Sequence, residues 1–237
     1  IEAQHPEYQL RVNEWDKCKD CYIGEDAIKL KTTNYLPKLD RHDDTNEGKT
    51  RYLDYLSRAT FFGVVSTVVT GRVGQVMRLP ATKDLNPIVE KWSNTLMRDQ
   101  SNLTEMTKRV LTEVMTTGRV GLLLDRPEVG GDPYVVMYKC QDIINWETHE
   151  ESLIRVVLRE SYINKVSNKV GKVTQVSSIR YRELRLNELG KYEVAMWHSK
   201  NGQYTETEII EPKNAGIGIE YIPFQFINTD SVSVNTS

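Results

Sequence analysis

The sequence predicts an α+β fold, with N-terminal helices followed by an antiparallel β meander. Three observations carry this. Helical apolar spacing is confined to the first half. Runs of β-branched and aromatic residues with short links fill the second half. Asn201-Gly202 sits between two such runs, a strong hairpin signal because both residue types tolerate positive φ. Segregated helices and strands in one chain are the α+β pattern.

In chain order, Pro6 to Tyr22 places Tyr8, Val12, Trp15 and Tyr22 on one helical face and Asn13, Asp16, Lys17 and Asp20 opposite, with Gly24 past the end. Glu25 to Leu39 reads as a short helix or turn ended by Pro37, and Asp40 to Gly48 as a polar, acidic loop. A second helix is expected from about Thr50, with Tyr52, Leu53, Leu56 and Ala59 inward. Its continuation through Val64, Val65, Val68 and Val69 is β-branched, which weakens the helical signal. Gln75 to Leu79 reads as extended and Pro87 to Met97 as helical. Asn102 to Thr117 is the clearest helix, with Leu103, Met106, Val110, Leu111 and Val114 in one stripe and Asn102 with Glu105 at capping-box spacing. Strands are expected at Val120–Leu124, Tyr134–Lys139, Leu153–Ile163, Thr174–Leu186, Tyr192–Ser199 and Gln203–Ile210, the last four forming the meander.

Composition bounds the function classes. The 237 residues, 39% hydrophobic and 27% charged, suffice to bury a core, and the net charge of −2 argues against a uniformly basic nucleic-acid coat. Three cysteines do not build a disulfide framework in a chain this size, so a reducing compartment is the simpler reading. Ile1 to Leu10 is polar and does not read as a secretory signal. The most apolar run, Ala59 to Gly71, has 13 residues, short of the ~20 that cross a bilayer. It reads as core, and no membrane partner is expected.

No motif supplies chemistry. Cys18-Lys19-Asp20-Cys21 lies inside a helix without the strand context of a redox site, and no second ligand pair completes a zinc site, so packing cysteines are expected. Asp40, His42, Asp43, Asp44 and Glu47 lack the order of a calcium loop and read as a solvated acidic loop. His5, His42, His149 and His198 have no nucleophile or metalloprotease context. His198 beside Trp197 reads as structural. Asp125 at a strand end resembles a nucleotide-site ligand, but no phosphate loop precedes it. Thr-Gly-Arg-Val-Gly occurs twice, at Thr70–Gly74 and Thr117–Gly121. The copies read either as phosphate-contacting loops or, preferably, as helix C-terminal glycines with an Arg near the carbonyl ends. From Asn164 to Arg182 the chain carries Lys165, Lys169, Lys172, Arg180 and Arg182 with no Asp or Glu. This stretch is the candidate surface for DNA phosphates or for an acidic neighbouring subunit, the alternative being that it simply keeps a hairpin soluble. Tyr8, Trp15 and Tyr22 are the candidate subunit interface, because aromatics are enriched where interfaces bury area. The alternative is that their stripe packs on its own domain. No catalytic, cofactor or metal residue is assigned.

Several linked segments resemble one group of portal (head–tail connector) proteins of tailed bacteriophages. They are His5-Pro6-Glu7-Tyr8, the Trp15 helix, Gly24 to Lys29, Tyr35-Leu36-Pro37, Tyr55 to Ala59 and Gly71 to Arg78 running to Pro80. Gly118 to Gly121 with Leu124 to Pro127, Ile143 to Trp146, Val157 to Glu160, Tyr181 to Leu184 and Ile222-Pro223-Phe224 continue the series in order. Each fragment is short; order and spacing together make the resemblance, which spans nearly the whole chain. It implies a non-enzymatic subunit of a ring, commonly of twelve copies, at the unique capsid vertex. Such a ring is assembled in the host cytoplasm and passes double-stranded DNA during packaging and ejection. The implied partners are further copies of the chain, the major capsid or scaffolding protein, the terminase motor, and neck, adaptor or tail proteins. The chain would correspond to the outer, wing-like part. The expected divisions are an arm with acidic loop at 1–48, a helical subregion at 49–127, a β-rich subregion at 128–228, and a linker at 229–237 toward stem and clip. Two other readings stay open: a metal-dependent nuclease using Asp40, Asp43, Asp44 or Asp125, and a neck or adaptor protein.

Overall fold

A computed structural model describes residues 1–39, 41–79, 84–127, 131–167, 173–200, 202–214 and 216–229. Six helices come first: α1 (Pro6–Ile23), α2 (Glu25–Leu30), α3 (Asn46–Arg58), α4 (Val64–Val76), α5 (Pro87–Ser93) and α6 (Leu103–Thr117). Ten strands follow: β1 (Arg119–Asp125), β2 (Tyr134–Lys139), β3 (Ile143–His149), β4 (Ser152–Ser167), β5 (Val173–Leu186), β6 (Tyr192–Lys200), β7 (Gln203–Ile210), β8 (Lys213–Asn214), β9 (Ile217–Gly218) and β10 (Phe224–Asn228). The strands make a five-stranded antiparallel meander in the order β3-β4-β5-β6-β7, a three-stranded sheet β10-β1-β2 and the short pair β8-β9. The α+β expectation holds.

Local chemistry explains the element ends. Pro6 opens α1 where a missing N–H costs nothing, and the His5 ring nitrogen accepts the Glu7 N–H at 3.2 Å. Asn102 caps α6 by accepting the Glu105 N–H at 3.0 Å, and Gly118 ends it at φ +84°, a left-handed position that suits glycine. In α6, Val110 is buried, while Met106 and Val114 are half-buried. Gly202 takes φ +80° in the β6–β7 turn; Asn201 lies outside the described residues.

The core joins α1 to both sheets. Tyr8, Trp15, Leu123, Ile143, Trp146, Val157, Leu184, Phe224 and Phe226 belong to one cluster. Gly121 lets the layers approach, because a Cβ there would meet the Phe224 ring and the Ile143 side chain. Helix α6 is tied to α1 by the Lys19–Glu113 ion pair at 2.5 Å. The sheet β10-β1-β2 crosses the division expected at 127/128, since β1 pairs with both β2 and β10.

Several expectations are corrected. Tyr8 and Trp15 are each 2% exposed within the chain's own core, so they are not an interface; Tyr22 is half-buried beside Lys19. Asp20, expected outward, is buried because Tyr35 and Lys31 meet its carboxylate. Helix α3 starts four residues early, capped by Thr45, and Leu53 on it is exposed. The β-branched run is helical, and it is not core: Phe62 is 82% and Val68 53% exposed, with only Val69 and Val73 of α4 buried. The first Thr-Gly-Arg-Val-Gly copy lies within α4, not at its end, and Gln75 and Val76 are helical.

His5 and His42 give the fold a pH dependence. His42 is buried against Tyr52 and Tyr55, with its Nδ1 accepting the Leu39 N–H at 3.1 Å; His5 stacks on Trp146. Burial, the main cause, depresses both rings below their usual 6.5. Around His42 the charges of Arg41, Arg51 and Lys38 act in the same sense. At His5, Glu7 partly opposes the burial. Below pH 6.5 the unfolded chain therefore takes up protons that the folded chain refuses, and stability falls as pH drops from 6.5 toward the folded values. Thermal unfolding followed from neutral pH downward should show this loss, and His42→Gln should flatten it. An unchanged slope in the variant would remove His42 from the account.

Candidate functional site: an arginine–carboxylate cleft

Strands β1 and β2 face β4 and β5 across an open cleft of about 320 Å³. Its walls are charged because period-two alternation sends Glu160, Arg180 and Arg182 to the face of the meander that meets the smaller sheet. Arg182 Nη1 donates to Asp125 Oδ2 at 2.6 Å, and its Nε faces Glu160 Oε1 at 3.4 Å. Arg180 Nε donates to Glu160 Oε2 at 2.8 Å and stands over the Tyr162 ring. The Tyr138 hydroxyl donates to Glu160 Oε1 at 2.6 Å. At the rim, Arg159 reaches the Gln141 carbonyl at 3.1 Å and Asp142 at 3.5 Å.

Burial raises the Tyr138 pKa, and Glu160 raises it further, so the phenol stays protonated. Burial alone would favour a neutral Arg182, but the carboxylates of Glu160 and Asp125 outweigh it and hold the guanidinium charged. Burial also lifts Asp142, against the pull of Arg159. The result is a set of matched charges that clamps the two sheets together.

This corrects the assignment of Arg180 and Arg182. Both were expected on a solvent-facing basic surface; both are bound internally to carboxylates, with side chains 27% and 15% exposed. Alternation placed them on one face but did not say what covers it. Lys165 lies in β4, with its side chain outside the described residues, as are Lys169 and Lys172.

The other candidates separate. Asp40 lies outside the described residues. Asp43 Oδ1 accepts the Thr45 hydroxyl and N–H at the start of α3, and Asp44 pairs with Lys38 at 2.9 Å. Glu47 pairs with Arg51 one turn along α3. Cys18 and Cys21 are free and half-buried on α1, and burial pushes the Cys18 thiol up. Cys140 is buried, its thiol pushed up to about 12 chiefly by burial. His198 is half-buried between Thr207 and Tyr162. Among the described residues, no three His, Cys, Asp or Glu side chains are grouped to hold a metal ion, and no helix is long and apolar enough to cross a membrane.

One fully buried charge went unrecognised in the sequence. Arg119, in the second pentapeptide, turns inward instead of lying against the α6 carbonyls. It pairs with Glu7 at 3.1 Å and donates to Asn228 Oδ1 at 2.9 Å, between the rings of Trp146 and Phe226. The only available signal was the repeat itself. No protein-family model matches the chain, and no curated protein matches it significantly.

Proposed function

We propose that the chain is the wing portion of a portal-type ring subunit, a structural component of a tailed-phage capsid vertex whose assembled ring conducts double-stranded DNA. The ordered segments that resemble portal proteins motivate this reading. The geometric observation that carries it is the open apolar face around α4. Phe62, Val64, Val68, Val76 and Leu79 are all exposed in a chain whose own core is built elsewhere. Apolar surface concentrated in this way marks an interaction face, and a ring subunit needs two different faces, one for each neighbour.

The nuclease reading gains nothing from the geometry. Two-metal chemistry needs convergent carboxylates around shared ions, whereas Asp125 is held by Arg182 and Asp44 by Lys38.

Particle imaging of the full-length product should show closed rings, and DNA incubated with magnesium or manganese should stay intact. A monodisperse monomer under every assembly condition would overturn the ring reading. Location beneath the portal in a virion map would turn it into a neck or adaptor protein.

A further inference from the structure

Helix α4 carries a stripe that this chain does not cover. Val64, Val68, Arg72 and Val76 recur every fourth residue, so they run along one side of the helix, and all four are exposed. Phe62 and Leu79 extend the exposed apolar surface past both helix ends. On its covered side α4 packs on α1 and α6, with Val69 and Val73 buried. Gly71 adds a second observation. Glycine weakens a helix interior, and a Cβ at Gly71 would meet nothing within 4 Å. Nothing in this chain calls for a glycine there; a second surface lying close against α4 would. The stripe is also charged with one sign. From Ala59 to Leu79 the chain has Arg72 and Arg78 and no acid. Both arginines are exposed, and neither forms an ion pair among the described residues; Arg72 Nη1 donates to Gln75 Oε1 at 3.2 Å. Glu25, whose carboxylate accepts the Phe61 N–H at 3.3 Å, is already paired with Lys29 at 2.7 Å.

The complementary surface lies at one end of the meander. The β3–β4 turn, between His149 and Ser152, and the β5–β6 turn, between Leu186 and Tyr192, fall at the same end because successive strands reverse direction. Glu150, Glu151 and Glu188 are exposed there, and none forms an ion pair among the described residues. Lys191, in the second turn, is matched by Glu220 at 2.5 Å. That pair, with the Tyr192 N–H donating to the Ile219 carbonyl at 2.7 Å, brings the 217–221 segment beside the turn. Leu189, Ile217 and Tyr221 are exposed on these two segments. The meander end thus joins unmatched negative charge to uncovered apolar side chains, as the α4 stripe joins positive charge to them.

We infer that the α4 stripe docks on the acidic meander end of a second copy of this chain, with Arg72 and Arg78 set against Glu150, Glu151 and Glu188. The two surfaces belong to different elements, so the contact is head-to-tail and each copy uses both. This names what α4 meets. Closure of such contacts into a ring rests on the function proposed above; the pairing of the two surfaces does not.

The test is reciprocal charge reversal in the full chain, read by sedimentation at low and high salt. Arg72 and Arg78 are changed to Glu in one variant, and Glu150, Glu151 and Glu188 to Lys in another. Each should weaken self-association by about tenfold or more at low salt, as expected where opposite charges steer docking. Mixing the two variants should restore it, because the mixed contact again joins opposite charges. Arg→Gln and Glu→Gln versions, milder for folding, should shift association in the same direction with unchanged thermal melts. Gly71→Leu tests close approach with every charge in place: its melt should hold or rise, since leucine favours a helix, while association falls. A wild-type chain that stays monomeric at low salt overturns the inference, as does unaltered association in any of the three variants. Failure of the mixture to recover also overturns it, since α4 would then meet some other surface. Rings that persist in both charge variants sink this pairing and leave the ring reading standing. Salt-sensitive open chains that respond to both reversals and never close do the reverse.

Discussion

Replacing Arg119 with Met should lower the unfolding free energy by about 3–5 kcal/mol, the range for breaking a buried ion pair from one side. The residue is 1% exposed and joins three parts of the chain: Glu7 on α1, Asn228 on β10, and its own strand β1. Trp146 and Phe226 lie at 5.2 and 5.0 Å from the guanidinium carbon, so the cation also rests on aromatic faces. Burial works against the charge, with Glu7 offsetting it. Methionine fills much of the volume but leaves Glu7 and Asn228 facing an apolar group. Lysine at the same position should recover little, because one ammonium cannot reproduce the fork that reaches both partners. Glu7→Gln should cost far less, since its amide still accepts a hydrogen bond. Urea unfolding of the three variants checks the ordering; a loss under about 1 kcal/mol for the methionine variant would mean that the node is dispensable.

That node also shows where sequence reading stops. The cap of α6 was legible because Asn102 and Glu105 act within one turn. The meander was legible because its strands follow one another with short turns. β10 was missed because its partner, β1, lies about a hundred residues upstream, and nothing local in Phe224–Asn228 announces a pairing at that separation. β3 went unread because its register shifts twice against β4, which blurs the alternation. The face shared by Arg180 and Arg182 followed from period two, but the sheet lying over it depends on the closure of β10-β1-β2. In α4 the apolar content was taken for burial. Only Val69 and Val73, one turn apart, are buried; the remaining valines are divided between half-buried and exposed positions.

Trp15→Ala should destabilise the isolated chain by about 3–5 kcal/mol, the cost of removing a buried indole and leaving its cavity. Trp15 is 2% exposed, meets Tyr8 edge-on at 5.9 Å between ring centres, and belongs to the cluster that carries Trp146 and Val157. α1 has few other buried side chains, only Tyr8 and Asp20, so its attachment depends heavily on this indole. The loss should appear in the melt of the isolated chain, without any assembly. Val68→Asn supplies the contrast. Val68 is 53% exposed on α4, so the substitution should leave the melt within about 0.5 kcal/mol, as exposed changes usually do, while weakening ring formation if α4 meets a neighbour. A Trp15→Ala chain that melts normally yet fails to form rings would return the aromatic stripe to the interface and contradict its burial in this fold. A Val68→Asn chain that assembles at the wild-type rate would remove α4 from the interface and with it the main geometric support for the ring.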